Sequence, residues 1–302
     1  MVGATRLMRA DAAHLSGRIA GRLEAASAAL RDDFGPAEAG LARCCWIDDL
    51  LPPDVLAAAL DALPPLDGMI RRANAMERKY VTAQLDRLAP PLRGLITAFQ
   101  DQRVADAVAS IIGRPRLETD PLFYNGGITA MLPGDFMSPH LDNSHDYGRQ
   151  RRRDVVLLYY LTPHWQDGFG GQLEVWDAAL RRPHRVVPYR RNRLVLLETT
   201  EHSWHAIRPV RGPLPRLNLT TYFYAPQEAA WPIRLTRFQP WPGHPLHRLL
   251  FNGEFRLRST AARLLGGTRR LANPHVYRPH VYHPGAAPAS AESANPADEP
   301  GR

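Results

Sequence analysis

The sequence contains few of the features that stabilise secreted or membrane-bound proteins. It has only two cysteines, Cys44 and Cys45, and a disulfide between adjacent residues would be strained. No apolar run approaches the ~20 residues of a membrane helix. The first twenty residues lack the continuous apolar segment of a signal peptide. We therefore expect a cytoplasmic protein with reduced thiols and no membrane partner.

Lysine is also nearly absent, since Lys79 is the only lysine among 38 basic residues. With 30 acidic residues the formal net charge is +8. This charge favours anionic partners, although a GC-rich genome produces the same arginine excess. No stretch interleaves basic and aromatic residues as nucleic-acid-binding modules do, so nucleic acid is not an expected partner. The basic run "GRQRRRD" (148–154) is interpreted as a solvated loop, with a rim that steers an anionic substrate as the alternative.

The first part of the chain has the period of helices. Apolar residues recur at helical spacing in 5–32, 52–63 and 90–113, which predicts a helical N-terminal region over 1–115. A short strand is expected near residue 45. At the other end, 259–272 predicts one further helix.

The pattern then changes to eight short β-rich runs separated by turn residues. Regular short strands of this number predict a jelly roll, with residues 116–227 as its core. The runs are 128–132, 136–142, 154–162, 171–177, 184–189, 193–199, 203–210 and 216–225. Residues 228–282 are then a C-terminal extension, and 283–302 a disordered tail because large apolar side chains are scarce there.

Two histidines and two aspartates lie within the nine residues "SPHLDNSHD" (138–146). On a strand, residues two apart point the same way, so His140 and Asp142 can face one point in space. Asn143, His145 and Asp146 are interpreted as turn and loop residues. A third ligand must come from a later histidine. The candidates are His164, His184, His202 and His205.

Of these four, His205 lies inside a strand-like run, whereas the others lie at turns or strand ends. Two imidazoles and one carboxylate suit Fe(II) with open positions. The same set suits zinc with a bound water, so the ligands alone leave the metal open.

Arg216 follows His205 by eleven residues and begins the last run. A buried arginine there requires an anion, which it can bind through two parallel hydrogen bonds. A dicarboxylic co-substrate could therefore chelate the metal at one end and bind Arg216 at the other.

The segments "HLDNS", "VVLLYYLTPHW", "GGQLEVW", "HAIRPV" and "RLNLTTYFY" together resemble the core of the Fe(II)/2-oxoglutarate-dependent dioxygenases, in particular the prolyl 4-hydroxylase-like branch. The resemblance covers 121–226. It implies a mainly β, double-stranded β-helix (jelly-roll or cupin-like) with the helical N-terminal region packed on it. His140 and Asp142 would follow the second strand of this core, and His205 would lie on the seventh.

The resemblance also implies the chemistry of the site. Fe(II) would be held by His140, Asp142 and His205. The C5 carboxylate of 2-oxoglutarate would be held by Arg216, Tyr160 and Thr220. O2 would be the second co-substrate and L-ascorbate a further cofactor. Leu132 stands where the branch has a tyrosine, so the substrate pocket is expected to differ.

The expected reaction is hydroxylation of an unactivated C–H bond with release of succinate and CO2. The substrate class stays open among a prolyl residue, an amino acid and a small metabolite. Two alternatives use the same residues differently. One is a zinc or nickel jelly-roll hydrolase or isomerase with the same three ligands, and the other is a non-catalytic binding module whose basic surface is its working face.

Overall fold

The computed structural model describes residues 2–82, 88–226 and 232–264, which form six α-helices and twelve strands. The helices are α1 Val2–Ala25, α2 Ser27–Phe34, α3 Pro53–Asp61, α4 Pro90–Phe99, α5 Gln102–Ile112 and α6 Pro245–Leu264. The strands are β1 Cys44–Ile47, β2 Ile70–Ala73, β3 Arg78–Val81, β4 Gly127–Met131, β5 Met137–Leu141, β6 Arg153–Tyr160, β7 Leu173–Trp176, β8 Pro183–Val187, β9 Leu194–Glu198, β10 His205–Ile207, β11 Arg216–Tyr224 and β12 Arg237–Phe238.

All strands pair antiparallel, in two sheets. The larger has the order β1-β9-β6-β11-β4-β3-β2 and the smaller has the order β12-β5-β10-β7-β8. The eight predicted runs correspond one to one to β4 through β11. Four of these strands lie in each sheet. The predicted double-stranded β-helix is confirmed.

Strand β6 is apolar without alternation because both of its faces are buried. All eight of its residues are buried. Successive side chains point to opposite faces, so Leu157 and Tyr159 pack in the core shared with the helices. Leu158 and Tyr160 pack in the core between the two sheets. The larger sheet is therefore covered on both faces, by helices outside and by the smaller sheet inside.

Residues that favour helix ends stand at the boundaries of several helices. Helices α3 and α4 begin with proline in the first turn, where no backbone N–H is needed. Helix α5 begins after Asp101, whose side chain accepts from the backbone N–H of Arg103, and ends at Gly113 with φ 73°. Two predicted helices, 5–32 and 90–113, are each divided into two.

The N-terminal region contains strands as well as helices: β1 is the strand expected near residue 45, whereas the β2–β3 hairpin corrects the prediction for 1–115. It also supplies β1, β2 and β3 to the larger sheet. The hairpin of β2 and β3 was missed because its sequences, "IRRA" and "RKYV", are short and rich in charge. The region nevertheless packs on the β core as expected, since Ile19, Leu92 and Val104 share a cluster with Leu157 and Leu219.

The C-terminal helix α6 begins at Pro245, well before the predicted start at 259. The remainder of that predicted helix and the predicted disordered tail, 283–302, lie outside the described residues. Both cysteines are buried and free. Among the helices that the structure describes, none combines the length and apolar character needed to cross a membrane.

Candidate metal centre and co-substrate pocket

The pairing of β5 with β10 places the two candidate histidine ligands side by side. His140 and His205 are directly opposed in the register, with ring centroids 4.1 Å apart. Asp142 follows β5 and returns to the face of His140 because it lies two residues further on. One ligand atom from each residue lies within 4.8 Å of the other two. The structure thus brings together the predicted His140, Asp142 and His205.

Backbone carbonyls determine which nitrogen of each ring can bind a metal. The Nδ1 atoms of His140 and His205 lie 2.9 Å from the carbonyl oxygens of Ser138 and Ser203. A carbonyl only accepts, so each Nδ1 carries the proton and donates it. Each Nε2 then keeps its lone pair, which is the arrangement found in metal-binding histidines. The residues present therefore fit a metal ion.

The charge states also suit metal binding. Burial lowers the pKa of His140 to about 3, and the neighbouring His205 acts in the same direction. Burial raises the pKa of Asp142, but His205 and Arg153 outweigh it and the pKa lies below its ordinary value. At neutral pH the site presents a neutral His140 ring, with its Nε2 lone pair free, and an ionised carboxylate, the forms that bind metals.

The three residues open into a cavity of about 470 Å³ that β11, the β2–β3 hairpin, β12 and α6 also line. The other histidines that the sequence offered are not among its lining residues. His184 instead places its Nε2 2.9 Å from the carbonyl oxygen of Ala42. His202 is half-exposed, and its Nε2 lies 3.5 Å from Glu201 Oε1. Among the described residues that line the cavity, His205 is the only one of the four candidate histidines.

Arg216 lines the same cavity although only 1% of its surface is exposed. Its Nε donates to the carbonyl of Gly171 at 2.7 Å, and Nη1 donates to Asn218 Oδ1 at 2.7 Å. Its Nη2 has no hydrogen-bond partner among the described residues. Gly171 has φ 67°, and an added Cβ would lie 2.9 Å from Arg216 Cδ, so a side chain there would displace the guanidinium.

Asn218 was missed by the sequence analysis and connects two of the predicted residues. Besides accepting from Arg216, it donates through Nδ2 to Thr220 Oγ1 at 2.8 Å. The Thr220 hydroxyl therefore accepts within the protein and keeps its own hydrogen for a ligand. The three residues alternate along β11 and line the cavity together, so the i, i+2, i+4 spacing was the signal that could have identified Asn218.

Tyr160 packs against the guanidinium of Arg216. Its ring stacks on Tyr189 at 4.5 Å, and the Arg216 guanidinium carbon lies 4.9 Å from the Tyr160 ring centroid. The Tyr160 hydroxyl has no hydrogen-bond partner in the part of the chain that the structure describes. Burial raises its pKa to about 12, so it remains a proton donor at neutral pH.

The run 148–154 is not solvated throughout, which corrects the interpretation of "GRQRRRD". Because β6 begins at Arg153, the sheet buries Arg153 and Asp154. The Arg153 guanidinium carbon lies 3.5 Å from the centroid of the Tyr222 ring, and Nη1 lies 3.8 Å from Asp142 Oδ2. Arg151 pairs with Asp146 at 3.0 Å.

The residues after the motif are likewise more buried than a surface loop. Asn143, His145 and Asp146 are all buried. Asn143 lines the cavity. His145 donates through Nδ1 to the carbonyl of Asp146 at 2.7 Å. The loop interpretation is right for their backbone, but tertiary contacts cover the side chains.

Comparison with known proteins identifies the β core. Residues 126–224 match the sequence profile of the 2OG-Fe(II) oxygenase superfamily. This segment belongs to that superfamily. The profile spans β4 through β11, the eight strands that carry His140, Asp142, His205 and Arg216. The match covers about a third of the chain, and over that segment it confirms the predicted resemblance to the 2-oxoglutarate-dependent oxygenases.

Several solved structures resemble this chain at low sequence identity. A Pseudomonas putida prolyl-4-hydroxylase is 22% identical with a TM-score of 0.46, covering 66% of this chain and 98% of that one. A Trichoplax adhaerens prolyl hydroxylase, in complex with a hypoxia inducible factor peptide fragment, is 17% identical with a TM-score of 0.48, covering 68% and 91%. HygX from Streptomyces hygroscopicus, with nickel, 2-oxoglutarate and hygromycin B bound, is 17% identical with a TM-score of 0.43, covering 66% and 86%. Among curated proteins, no sequence matches this chain.

Proposed function

We propose that this oxygenase uses Fe(II) and 2-oxoglutarate to hydroxylate an unactivated C–H bond, with release of succinate and CO2. One observation carries the proposal. The buried group of His140, Asp142 and His205 shares a cavity with a buried arginine, Arg216, that has an unpaired N–H. A metal site and an anion site within one cavity suit a dicarboxylate that chelates the metal and binds the arginine.

Each residue has a distinct role in this proposal. His140, Asp142 and His205 hold Fe(II) and leave coordination positions open. When bound, the iron supplies O2 activation coupled to oxidative decarboxylation of 2-oxoglutarate. The chain provides orientation and a dry pocket. Arg216 pairs with the C5 carboxylate, and the hydroxyls of Tyr160 and Thr220 donate to it.

The hydrolase and binding-module alternatives explain less of the cavity. A zinc or nickel hydrolase with the same three ligands has no use for Arg216, whose Nη2 lies buried without a partner among the described residues. A buried guanidinium with an unpaired N–H and no counter-charge among the described residues is costly, so it indicates an anionic ligand. A binding module that works through its basic surface has no use for the metal ligands.

The parts of the chain contribute differently to this function. We place the catalytic core in 116–227, with 1–115 supporting the larger sheet from outside. In the extension 228–282, the described residues of β12 and α6 border the cavity. We place the protein in the cytoplasm, where buried thiols such as Cys44 remain reduced. The substrate is a prolyl residue, an amino acid or a small metabolite, and L-ascorbate remains an expected cofactor.

The test begins with metal-stripped protein under anaerobic conditions. Adding Fe(II) and 2-oxoglutarate should produce the weak visible charge-transfer band of a chelated 2-oxo acid. Admitting O2 in the presence of L-ascorbate, which supplies the two electrons that substrate oxidation would otherwise supply, should then convert 2-oxoglutarate to equal amounts of succinate and CO2, measured by chromatography and CO2 release. Zinc in place of Fe(II) is the control and should give neither signal. Tight zinc binding without any band from Fe(II) and 2-oxoglutarate would contradict the proposal.

Asn218 provides a sharper test of the carboxylate site. Asn218→Ala removes one partner each from Arg216 and Thr220. We expect the KM for 2-oxoglutarate to rise roughly fivefold to thirtyfold, the range that about 1–2 kcal/mol of lost hydrogen bonding represents. Asn218→Asp should raise it further, because a carboxylate would pair with Arg216 and repel the ligand. If both variants kept the KM of the unmodified protein, Asn218 would not order this site.

A further inference from the structure

Three charged side chains from the β2–β3 hairpin form an ion cluster in the wall of the cavity. Glu77 Oε1 lies 2.9 Å from Arg72 Nη2, and Glu77 Oε2 lies 2.9 Å from Lys79 Nζ. The Glu77 carboxylate is almost fully buried, and the side chain of Lys79 is 13% exposed. All three residues line the cavity that contains His140 and Arg216.

The cluster carries one positive charge in excess. Burial raises the pKa of Glu77, but Lys79 and Arg72 outweigh it and the pKa lies below its ordinary value. The carboxylate is therefore ionised, and it balances only one of its two cations. A lysine ammonium has three N–H donors. Here one faces Glu77 and another faces the weak acceptor Met137 Sδ at 3.5 Å. For the third, the described residues show no acceptor.

The other charges that line the cavity do not cancel this excess. Glu254 and Arg258 pair with each other at 3.0 Å. Asp142 belongs to the metal site. Arg216 already has a proposed anion, the C5 carboxylate of 2-oxoglutarate. One cation, shared by Lys79 and Arg72, is left without a counter-charge among the described lining residues.

The sheet register separates this cation from the 2-oxoglutarate site. Arg216 lies opposite Met131 on β4. Tyr80 of β3 lies opposite Ala130, so the same register brings Lys79 opposite Met131. Lys79 and Arg216 are thus two strands apart, roughly 10 Å at the usual strand spacing. Lys79 nevertheless lines the same cavity as His140, Asp142 and His205.

We propose that Lys79, oriented by Glu77 and Arg72, binds a carboxylate of the substrate, so that this oxygenase acts on carboxylate-bearing molecules. A single excess charge fits a carboxylate monoanion, whereas a phosphate group carries ≈ −1.5 to −2 at neutral pH. The inference rests on the proposed function, because it assigns the substrate to the cavity that holds Fe(II) and 2-oxoglutarate.

The chain offers a direct probe, since Lys79 is its only lysine. Biosynthetic incorporation of ¹³C-lysine labels Lys79 alone and leaves its charge and its three N–H donors unchanged. The labelled protein is titrated by NMR with N-acetylproline, N-acetylleucine and N-acetylphenylalanine, and with the amide of each. We expect at least one acid to shift the Lys79 signal and to bind roughly tenfold or more tightly than its amide, as charge-assisted hydrogen bonding implies. Acids that shift the signal no more than their amides do would overturn the proposal.

Variants separate Lys79 from the rest of the site. Lys79→Met should abolish the preference for acid over amide, read by binding calorimetry, and Lys79→Arg should retain part of it. Arg181→Met is the matched control, because it removes one exposed positive charge far from the cavity. An unchanged preference in Lys79→Met would refute the assignment. A large loss of 2-oxoglutarate affinity in this variant would instead make Lys79 a co-substrate contact.

The two proposals can fail separately. The Fe(II) and 2-oxoglutarate charge-transfer band tests the dioxygenase function and does not depend on the substrate. The Lys79 signal is read in the same preparation. A normal band with no acid-dependent shift removes the substrate inference alone. An absent band removes the dioxygenase function, whatever the lysine signal shows.

Discussion

Replacing Asp142 by asparagine should abolish iron-dependent turnover. The change keeps the shape of the side chain but removes the charge that completes the metal site with His140 and His205. Loss of an outer partner of a metal ligand typically costs 10–100-fold in affinity or activity, so loss of the ligand itself should cost more than roughly a hundredfold. Metal content after dialysis and succinate formation would measure the two effects.

A control must separate loss of the metal from loss of the fold. Asp67→Asn removes a carboxylate from an exposed position and should retain both metal and activity. The far-ultraviolet circular dichroism of Asp142→Asn should match that of the unmodified protein, because Asp142 lies after β5 and outside the sheet ladder. Full metal content and turnover in Asp142→Asn would show that Asp142 is not a ligand.

The second large effect is expected at Arg216. Arg216→Ala removes the proposed partner of the C5 carboxylate, and truncating one member of a buried charge pair costs about 2–5 kcal/mol. The 2-oxoglutarate concentration needed for half of the charge-transfer band should rise by roughly thirtyfold or more. Iron affinity should change little, because Arg216 lies on β11 whereas the ligands come from the smaller sheet.

Arg216→Lys refines this test. Lysine keeps the charge but lacks the planar fork, and the contact of Nε with the carbonyl of Gly171 is lost. Its 2-oxoglutarate requirement should fall between those of the unmodified protein and Arg216→Ala. If neither variant altered the requirement, the carboxylate would bind elsewhere, and Lys79 would be the next residue to examine.

The metal site was predictable because its information is largely local. His140 and Asp142 lie two residues apart in a strand-like run, and the strand-like run around His205 distinguished it from the histidines at turns. Arg216 was predictable because a charge at the start of an apolar strand requires a partner. The eight strands were predictable because apolar runs and turn residues alternate regularly between 121 and 225.

Other features depended on contacts that no local pattern encodes. The β2–β3 hairpin forms from short, charge-rich segments because β4 offers an edge for pairing. The basic run around Arg153 predicted a solvated loop, yet the sheet buries Arg153 and its guanidinium packs on the ring of Tyr222. The role of Asn218 became visible only in the structure, where its amide is hydrogen-bonded to both Arg216 and Thr220.

The sequence by itself determined the positions of the eight core strands, the three candidate metal ligands and the arginine that marks an anion site. These follow from periodicity and spacing, which are properties of neighbouring residues. Only the tertiary structure decided that β5 and β10 pair so that His140 faces His205, and that the single lysine borders the same cavity. Such placements depend on sheet register and on chain segments far apart in sequence, and therefore on the packing of the whole molecule.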